Sequence, residues 1–397
     1  TSGSGIEYEP NDEAASAQTL SSGNAVKGSI ASTSDVDWYA IEASASGTLT
    51  VRLDVDESSY YGWDVAIKDA SNNFLGYLAC DGSSCRDDGV STSVGISAAG
   101  TYYITVTPES SVIPGSNGGY TLTATLGSNS TGIEFEPNDV SSSAQSLLSG
   151  STIAGSVAST SDVDWYTIEA SASGTLTVRL DVTENSYYGW DVVIKDSLNN
   201  LLGSLACDGS SCRNDGVSTS VGIGAAGTYY IAVTPESSVI PGSNGGYALT
   251  ATLGSNTTGI EFEPNDVYSS AQSLSSGSAV SGSISSTSDV DWYSIESSTS
   301  GTLTVRLDVD ESSYYGWDVV IKDLSGNLLG SLACDGSSCR DDGVSTSVGI
   351  SSAGTYYIAV TPEASVIPGS NGGYTLTGTI SSNTEGIEFE PNDVSSS

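Results

Sequence analysis

The chain repeats itself with a period of 127 residues. Glu7-Tyr8-Glu9-Pro10-Asn11-Asp12 returns as Glu134 to Asp139, as Glu261 to Asp266 and as Glu388 to Asp393, and the residues between these copies repeat as well. Solenoid units are much shorter, roughly 20–50 residues. A unit of this length can bury a core of its own. The expected organisation is three independent modules on a string, at residues 1–129, 130–256 and 257–383, with 384–397 opening a fourth. The boundaries are short, polar, Gly-flanked linkers such as Gly127-Ser-Asn-Ser-Thr-Gly132.

Inside a module the dominant period is two. Thr48-Leu-Thr-Val-Arg-Leu-Asp-Val55, Tyr102 to Val106 and Tyr120 to Leu126 alternate apolar and polar residues. Such alternation marks antiparallel strands with one buried face. Val26–Ile30, Trp38–Glu42, Asp64–Lys68, Leu75–Ala79 and Val90–Ile96 are further candidates. Turn signals fall between them: Ser46-Gly47, Asp69 to Asn73, Ala99-Gly100 and Pro114 to Gly119. Seven or eight short strands per module predict an all-β chain, a tandem array of antiparallel β-sandwiches of jelly-roll type. The one helical signal is Asp12–Leu20, opened by the cap residues Asn11 and Asp12.

The chain holds 48 acidic against 10 basic residues, a formal charge of −38. Nucleic acid and anionic membrane surfaces need Lys and Arg, so neither is an expected partner. Cations are. Disorder is the other reading of an acidic chain, but 21 Tyr, 6 Trp and regular aliphatic runs argue for folded cores. No run approaches the roughly 20 apolar residues of a membrane helix.

Two cysteines recur in each module, Cys80 and Cys85, Cys207 and Cys212, Cys334 and Cys339. Two thiolates with no His in the chain do not complete a zinc site. Buried free thiols are one alternative; a local disulfide in each module is the expectation, and it implies an oxidising, extracytoplasmic setting. A loop this short adds roughly 2 kcal/mol by the loop-entropy model. The chain opens on linker-like residues, which reads as a mature or shortened stretch of a longer secreted protein. Asn129 and Asn256 stand in Asn-x-Thr frames, so glycosylation is open there.

Two acidic clusters recur per module: Glu7-x-Glu9-Pro-Asn11-Asp12, and Asp35-x-Asp37-Trp38-Tyr39 about 25 residues later. Calcium takes six to eight oxygen ligands from carboxylates, amide carbonyls, backbone and water. Glu7 and Glu9 share one side of an extended segment, and Asp35 and Asp37 share another. A helix cap and a solvated strand start are the plain alternatives. Like charges this close repel unless a cation neutralises them, which favours metal.

Glu-x-Glu-Pro-Asn-Asp, Ala-Gln-x-Leu, Gly-Ser-Ile, Asp-x-Asp-Trp-Tyr, Gly-Thr-Leu-Thr-Val and Ala-Gly-Thr-Tyr-Tyr-Ile-x-Val, in that order, resemble the bacterial pre-peptidase C-terminal domain family. That family includes the collagen-binding domains of clostridial collagenases. The resemblance runs through the whole module three times. It implies a jelly-roll sandwich appended to secreted enzymes and, in the collagen binders, a calcium pair between the N-terminal linker and the sandwich. Carried over by motif, the metal ligands are Glu7, Glu9, Asn11, Asp12, Asp35 and Asp37; Glu134, Glu136, Asn138, Asp139, Asp162 and Asp164; and Glu261, Glu263, Asn265, Asp266, Asp289 and Asp291. One or two Ca2+ ions per repeat are expected.

Asp69-x-Ser-x-Asn73, with its counterparts at Asp196 and Asp323, reads as a hairpin turn rather than a calcium loop. Asp81, Asp87 and Asp88 read as a solvated loop. Tyr60-Tyr61-Gly62-Trp63, repeated at Tyr187 and Tyr314, reads as core or inter-module contact, with a ligand surface as the alternative. Without His no Ser-His or Cys-His system exists, and no enzyme is expected. The leading expectation is a secreted or cell-surface structural repeat protein that self-associates into a filament, stalk or array, with calcium rigidifying the joints. The competing one is a multivalent adhesin or targeting module for collagen or glycan.

Overall fold

The computed structural model describes residues 5–55, 62–80, 89–108, 119–129, 131–157, 159–182, 190–207, 216–235, 246–309, 317–334, 343–362 and 373–382, with 385, 387 and 389. Expectations for Cys85, Cys212, Cys339, Tyr60, Tyr61, Tyr187, Tyr314, the Asp81–Asp88 loop, the 114–118 turn and Glu388 lie outside these residues.

The chain is all-β, a tandem of three β-sandwiches. The first module contributes β1 (Gln18–Leu20), β2 (Ala25–Ser29), β3 (Asp37–Ala43), β4 (Gly47–Val55), β5 (Trp63–Lys68), β6 (Phe74–Cys80), β7 (Val90–Ile96), β8 (Gly100–Pro108) and β9 (Gly119–Gly127). A tenth strand, β10 (Phe135–Glu136), comes from the second acidic segment. One sheet runs β1-β3-β8-β5-β6 and the other β10-β7-β4-β9-β2. The later modules repeat both strand orders, the third with four strands in its second sheet among the described residues.

The alternation seen in the sequence becomes the two faces of each sheet. Leu49, Val51 and Leu53 of β4 point inward with Leu122 and Ala124 of β9. They meet Tyr39, Ile41, Val65, Ile67, Ile104 and Val106 from the opposite sheet. Full burial of such an aliphatic side chain contributes roughly 1.5–3 kcal/mol. Trp63, Trp190 and Trp317 are fully buried, so the tryptophan of the aromatic stretch is core. Cys80, Cys207 and Cys334 are fully buried at strand ends.

The one or two helical turns expected over Asp12–Leu20 reduce to a single short one. Ala14–Ser16 makes one 3-10 turn whose N-cap side chain makes no capping bond, and Gln18–Leu20 pairs in parallel with Tyr39–Ile41. Leu20 is buried only because this segment is extended along β3. Tertiary pairing overrides a weak local cap signal. Nor is the pairing purely antiparallel: β1 on β3 and β10 on β7 are both parallel.

Asp69 closes the β5–β6 hairpin. Its carboxylate accepts the N–H groups of Ser71 and Asn73, both at 2.8 Å. The same turn recurs at Asp196 and Asp323. The left-handed position in it is Asn72, Asn199 or Gly326, residue types that tolerate positive φ. These carboxylates are committed to the turn, as the hairpin reading required.

Candidate metal centre

The acidic segment is a strand shared by two modules. On one flank Ile133 bridges Ala154 of its own module, and the Glu134 N–H donates to Ala154 O at 3.0 Å. On the other flank Phe135 and Glu136 pair with Gly95 and Ile96 of the preceding module. The next joint repeats this, with Phe262 and Glu263 on Gly222 and Ile223 and with Ile260 on Ser281. The second sheets of adjacent modules are thereby joined edge to edge.

A glycine is required on the receiving edge. A Cβ on Gly95 would stand 2.0 Å from Glu134 O, and one on Gly222 would stand 1.9 Å from Glu261 O. A glutamine holds the strand from its own module. The Phe135 N–H donates to Gln145 Oε1 at 2.7 Å, while Gln145 Nε2 donates to Ile133 O at 2.8 Å.

Held this way, the segment aims its carboxylates into the start of the Asp164 strand. Glu134, Glu136 and Asp164 each offer an oxygen within 4.8 Å of the others, and Glu7, Glu9 and Asp37 and Glu261, Glu263 and Asp291 do the same. Asn11, Asn138 and Asn265 are fully buried beside them. Asp35, Asp162 and Asp289 are buried two residues before the strand. Asp12, Asp139 and Asp266 stay exposed at the rim. The Glu9–Pro10, Glu136–Pro137 and Glu263–Pro264 bonds are cis.

Two tyrosines complete the site. The Tyr166 hydroxyl lies 2.6 Å from Glu134 Oε1 and 2.6 Å from the Tyr247 hydroxyl. The Tyr247 hydroxyl lies 2.9 Å from Glu134 Oε1 and 2.5 Å from Asp164 Oδ2. Two hydroxyl hydrogens cannot fill four such contacts. Tyr39 with Tyr120, and Tyr293 with Tyr374, repeat the arrangement. The sequence reading passed over these tyrosines and Gln145. Tyr39 stands inside the Asp-x-Asp-Trp-Tyr motif, but Tyr120 is 81 residues away and carries no local signal.

Several acceptors have no donor. Glu136 Oε1, Asn138 Oδ1 and Asp164 Oδ1 are buried and accept no hydrogen bond, as are Glu263 Oε1, Asn265 Oδ1 and Asp291 Oδ1; in the first module Asn11 Oδ1 and Asp37 Oδ1 are the same. An unsatisfied buried acceptor costs about 1–3 kcal/mol. Three converging in each of the later two sites, and two in the first, describe a place for a cation. An all-oxygen donor set of carboxylates and an amide carbonyl suits a hard cation of the calcium type and not zinc.

The electrostatics agree. Burial, then the charges of Glu134 and Asp162, pushes Glu136 up to about 10. Burial, then Glu261 and Asp289, pushes Glu263 up to about 9. Asp37 rises to about 9 and Asp289 to about 7, each chiefly through burial. Burial also raises Asp164 and Asp291 well above the usual carboxylate range. A group whose pKa is raised on folding binds more protons folded than unfolded, so stability falls as pH rises between the two values. In chelator, the melting temperature should therefore decline steadily from about pH 5 to about pH 9, and excess calcium should flatten the profile. Calorimetry across that range checks both curves.

The site is most enclosed where a module precedes it. Glu136 is 6 % exposed, whereas Glu9 is an exposed residue. At the first joint Val94 and Gly95 of one module and Ile133, Glu134 and Ala154 of the next enclose a cavity of about 120 Å³.

Among the described residues no helix is long and apolar enough to cross a membrane. No family model matches the chain, and no curated protein matches it. Among solved structures it is similar to the pre-peptidase C-terminal domain of a collagenase from Bacillus anthracis, at 16 % identity and a TM-score of 0.22, over 27 % of this chain and 93 % of that one. It is also similar to the tandem CBM51 modules of a family 98 glycoside hydrolase from Streptococcus pneumoniae, at 10 % identity and a TM-score of 0.22, over 59 % and 84 %. A CBM22 tandem from Paenibacillus barcinonensis is similar at 6 % identity and a TM-score of 0.20, over 55 % and 82 %. At these identities and TM-scores the likenesses carry no argument about this chain.

Proposed function

We propose that the chain is a non-catalytic, calcium-binding extracellular repeat protein whose ions fix the joints between successive sandwiches. The observation that carries this reading is the shared strand. Its backbone belongs to two sheets at once, and its carboxylates converge with Asn138 and Asp164 on buried oxygens that lack donors. Glu7, Glu9, Asn11 and Asp37 and their counterparts would hold the ion. Asp35 with Asp12 at the rim would serve a second ion or neutralise the first. The tyrosine pairs orient the carboxylates by hydrogen bonding. The proposed units end at 129, 256 and 383, and each carries one local disulfide, Cys80–Cys85, Cys207–Cys212 or Cys334–Cys339. The motif order supports kinship with the pre-peptidase C-terminal domains.

Calcium titration by calorimetry, paired with small-angle scattering, tests this. Three or six ions per chain, and a longer, stiffer particle with calcium than with EDTA, are the expected results. No calcium heat together with an unchanged scattering profile would sink the reading.

A second reading, a multivalent glycan- or collagen-binding module, has its own observation. In the third module Tyr268 stacks on Tyr357 at 3.8 Å and meets Trp292 edge-on at 5.0 Å, with Lys322 lying 5.3 Å from the Trp292 ring. Trp38 with Tyr103 and Lys68, and Trp165 with Tyr230 and Lys195, form smaller versions. Aromatic faces beside polar groups suit sugar rings or extended peptides. Saturable retention on collagen or polysaccharide, lost in a Tyr268→Ala, Trp292→Ala variant, would favour it.

A further inference from the structure

Tyr268 breaks the repeat. One and two periods earlier the same place holds Ser141 and Ala14, in modules that otherwise nearly coincide. Tyr268 opens the short turn Tyr268–Ser270, just after the acidic segment. Its ring is fixed on several sides. It stacks on Tyr357 at 3.8 Å with 26° between the planes, and it meets Trp292 edge-on at 5.0 Å. Its hydroxyl donates to Asp323 O at 2.6 Å. Tyr357 lies between the buried Tyr356 and Ile358, and Trp292 lies between the buried Asp291 and Tyr293. By strand alternation both stand on the outer face of the sheet.

The first two modules build less on that face. Trp38 meets Tyr103 edge-on at 5.8 Å and Trp165 meets Tyr230 at 6.4 Å, and the turn adds no ring there, because Ala14 and Ser141 carry none. The third module also leaves apolar side chains open around its cluster. Val267, next to Tyr268, is 56 % exposed; Leu324, next to Asp323, is 66 % exposed; and Leu328, opposite Lys322 in the sheet, is 55 % exposed. Exposed apolar surface gathered about fixed rings marks an interaction face.

The chemistry of the face narrows its ligand. The chain carries a charge of −38, so a polyanion is repelled. The Tyr268 and Tyr357 rings touch face to face and leave no slot between them for a proline ring. What they offer is a plate. Lys322, 5.3 Å from the Trp292 ring, and Ser294, opposite Tyr357, bring hydrogen-bond donors to its rim. A plate with donors at its edge fits the C–H face and the hydroxyls of a pyranose.

We propose, resting on the second reading above, that Tyr268 makes the third module the chain's principal binding face for a neutral polysaccharide, with one sugar ring laid on the Tyr268, Trp292 and Tyr357 cluster. The first two modules carry weaker versions of the same face. Ring contacts and the bond to Asp323 O hold Tyr268 in place before a ligand arrives, so binding costs little side-chain entropy.

Affinity electrophoresis of the full 397-residue chain tests this, through gels holding hydroxyethylcellulose, galactomannan or dextran, with polygalacturonate gels and a collagen pull-down as comparisons. At least one neutral polysaccharide should slow the parent, and polygalacturonate should not. Tyr268→Ser should weaken retention by about five- to tenfold, the worth of one aromatic contact. Ser141→Tyr should strengthen it, by giving the second module the ring that the third has. Each variant places in the turn a residue the chain already uses there, so both fold. If the parent binds neither polysaccharide nor collagen, the second reading itself fails. If only collagen or polygalacturonate retains it, the ligand class is wrong. If a neutral polysaccharide retains the parent while Tyr268→Ser is held as strongly or more strongly, the ring makes no contact or covers the face, and the role given to Tyr268 is overturned.

Discussion

Stripping calcium should lower the melting temperature by about 10 °C. With free calcium at about a hundred times the dissociation constant, one ion bound only to the folded state adds about 2.7 kcal/mol. A domain of this size shifts by roughly 3–5 °C per kcal/mol. The ligands come from sequence positions about 30 residues apart, so the unfolded chain has no comparable site. Asp291→Asn should separate the modules: the third loses most of its calcium-dependent shift while the first two keep theirs. Differential scanning calorimetry with EDTA, then with excess calcium, reads this directly. A transition that stays put through both additions contradicts a calcium site in these clusters.

Gly222→Val should uncouple the third module from the second. The new side chain meets Glu261 O, and the Phe262–Glu263 strand must leave the Val217–Ile223 edge. That strand is also the one that presents Glu261 and Glu263. Calcium affinity at the third site should therefore fall by about tenfold or more, equivalent to at least about 1.4 kcal/mol. The joint should loosen as well, lowering the radius of gyration in calcium to near its value in EDTA. The added side chain at Gly222 faces the incoming Glu261–Phe262 backbone rather than the core that Val221 and Ile223 enter, so two folded transitions should survive. A variant with unchanged calcium affinity and unchanged scattering would show that the strand pairing does not set the site.

The strands were legible because burial of one face imposes alternation, and Thr48–Val55 shows it directly. The turn at Asp69 was legible because a carboxylate followed by Asn in a left-handed position is local chemistry. The acidic clusters stood out by composition, and the fold brings Glu7, Glu9, Asn11 and Asp37 together. What the sequence hid is non-local. Gly95 reads as an ordinary strand residue until the neighbouring backbone is seen against it. Tyr120 joins the site from the far end of the module. Asp12–Leu20 carries a helix-cap signal, yet Gln18 is used to hold the acidic strand, with the Tyr8 N–H donating to its side-chain oxygen at 2.7 Å. Local propensity had no means of showing that partner.

The shared strand also bears on mechanics. Tension passing from one module to the next travels through Ile133–Glu136, a segment held on its two flanks by parallel neighbours. Load applied along a strand's own axis stretches its hydrogen bonds together, whereas load applied at one end peels them singly. The joint should therefore resist pulling more stiffly than a Gly-rich tether of equal length, and the carboxylates that clamp it make its yield force a function of calcium concentration.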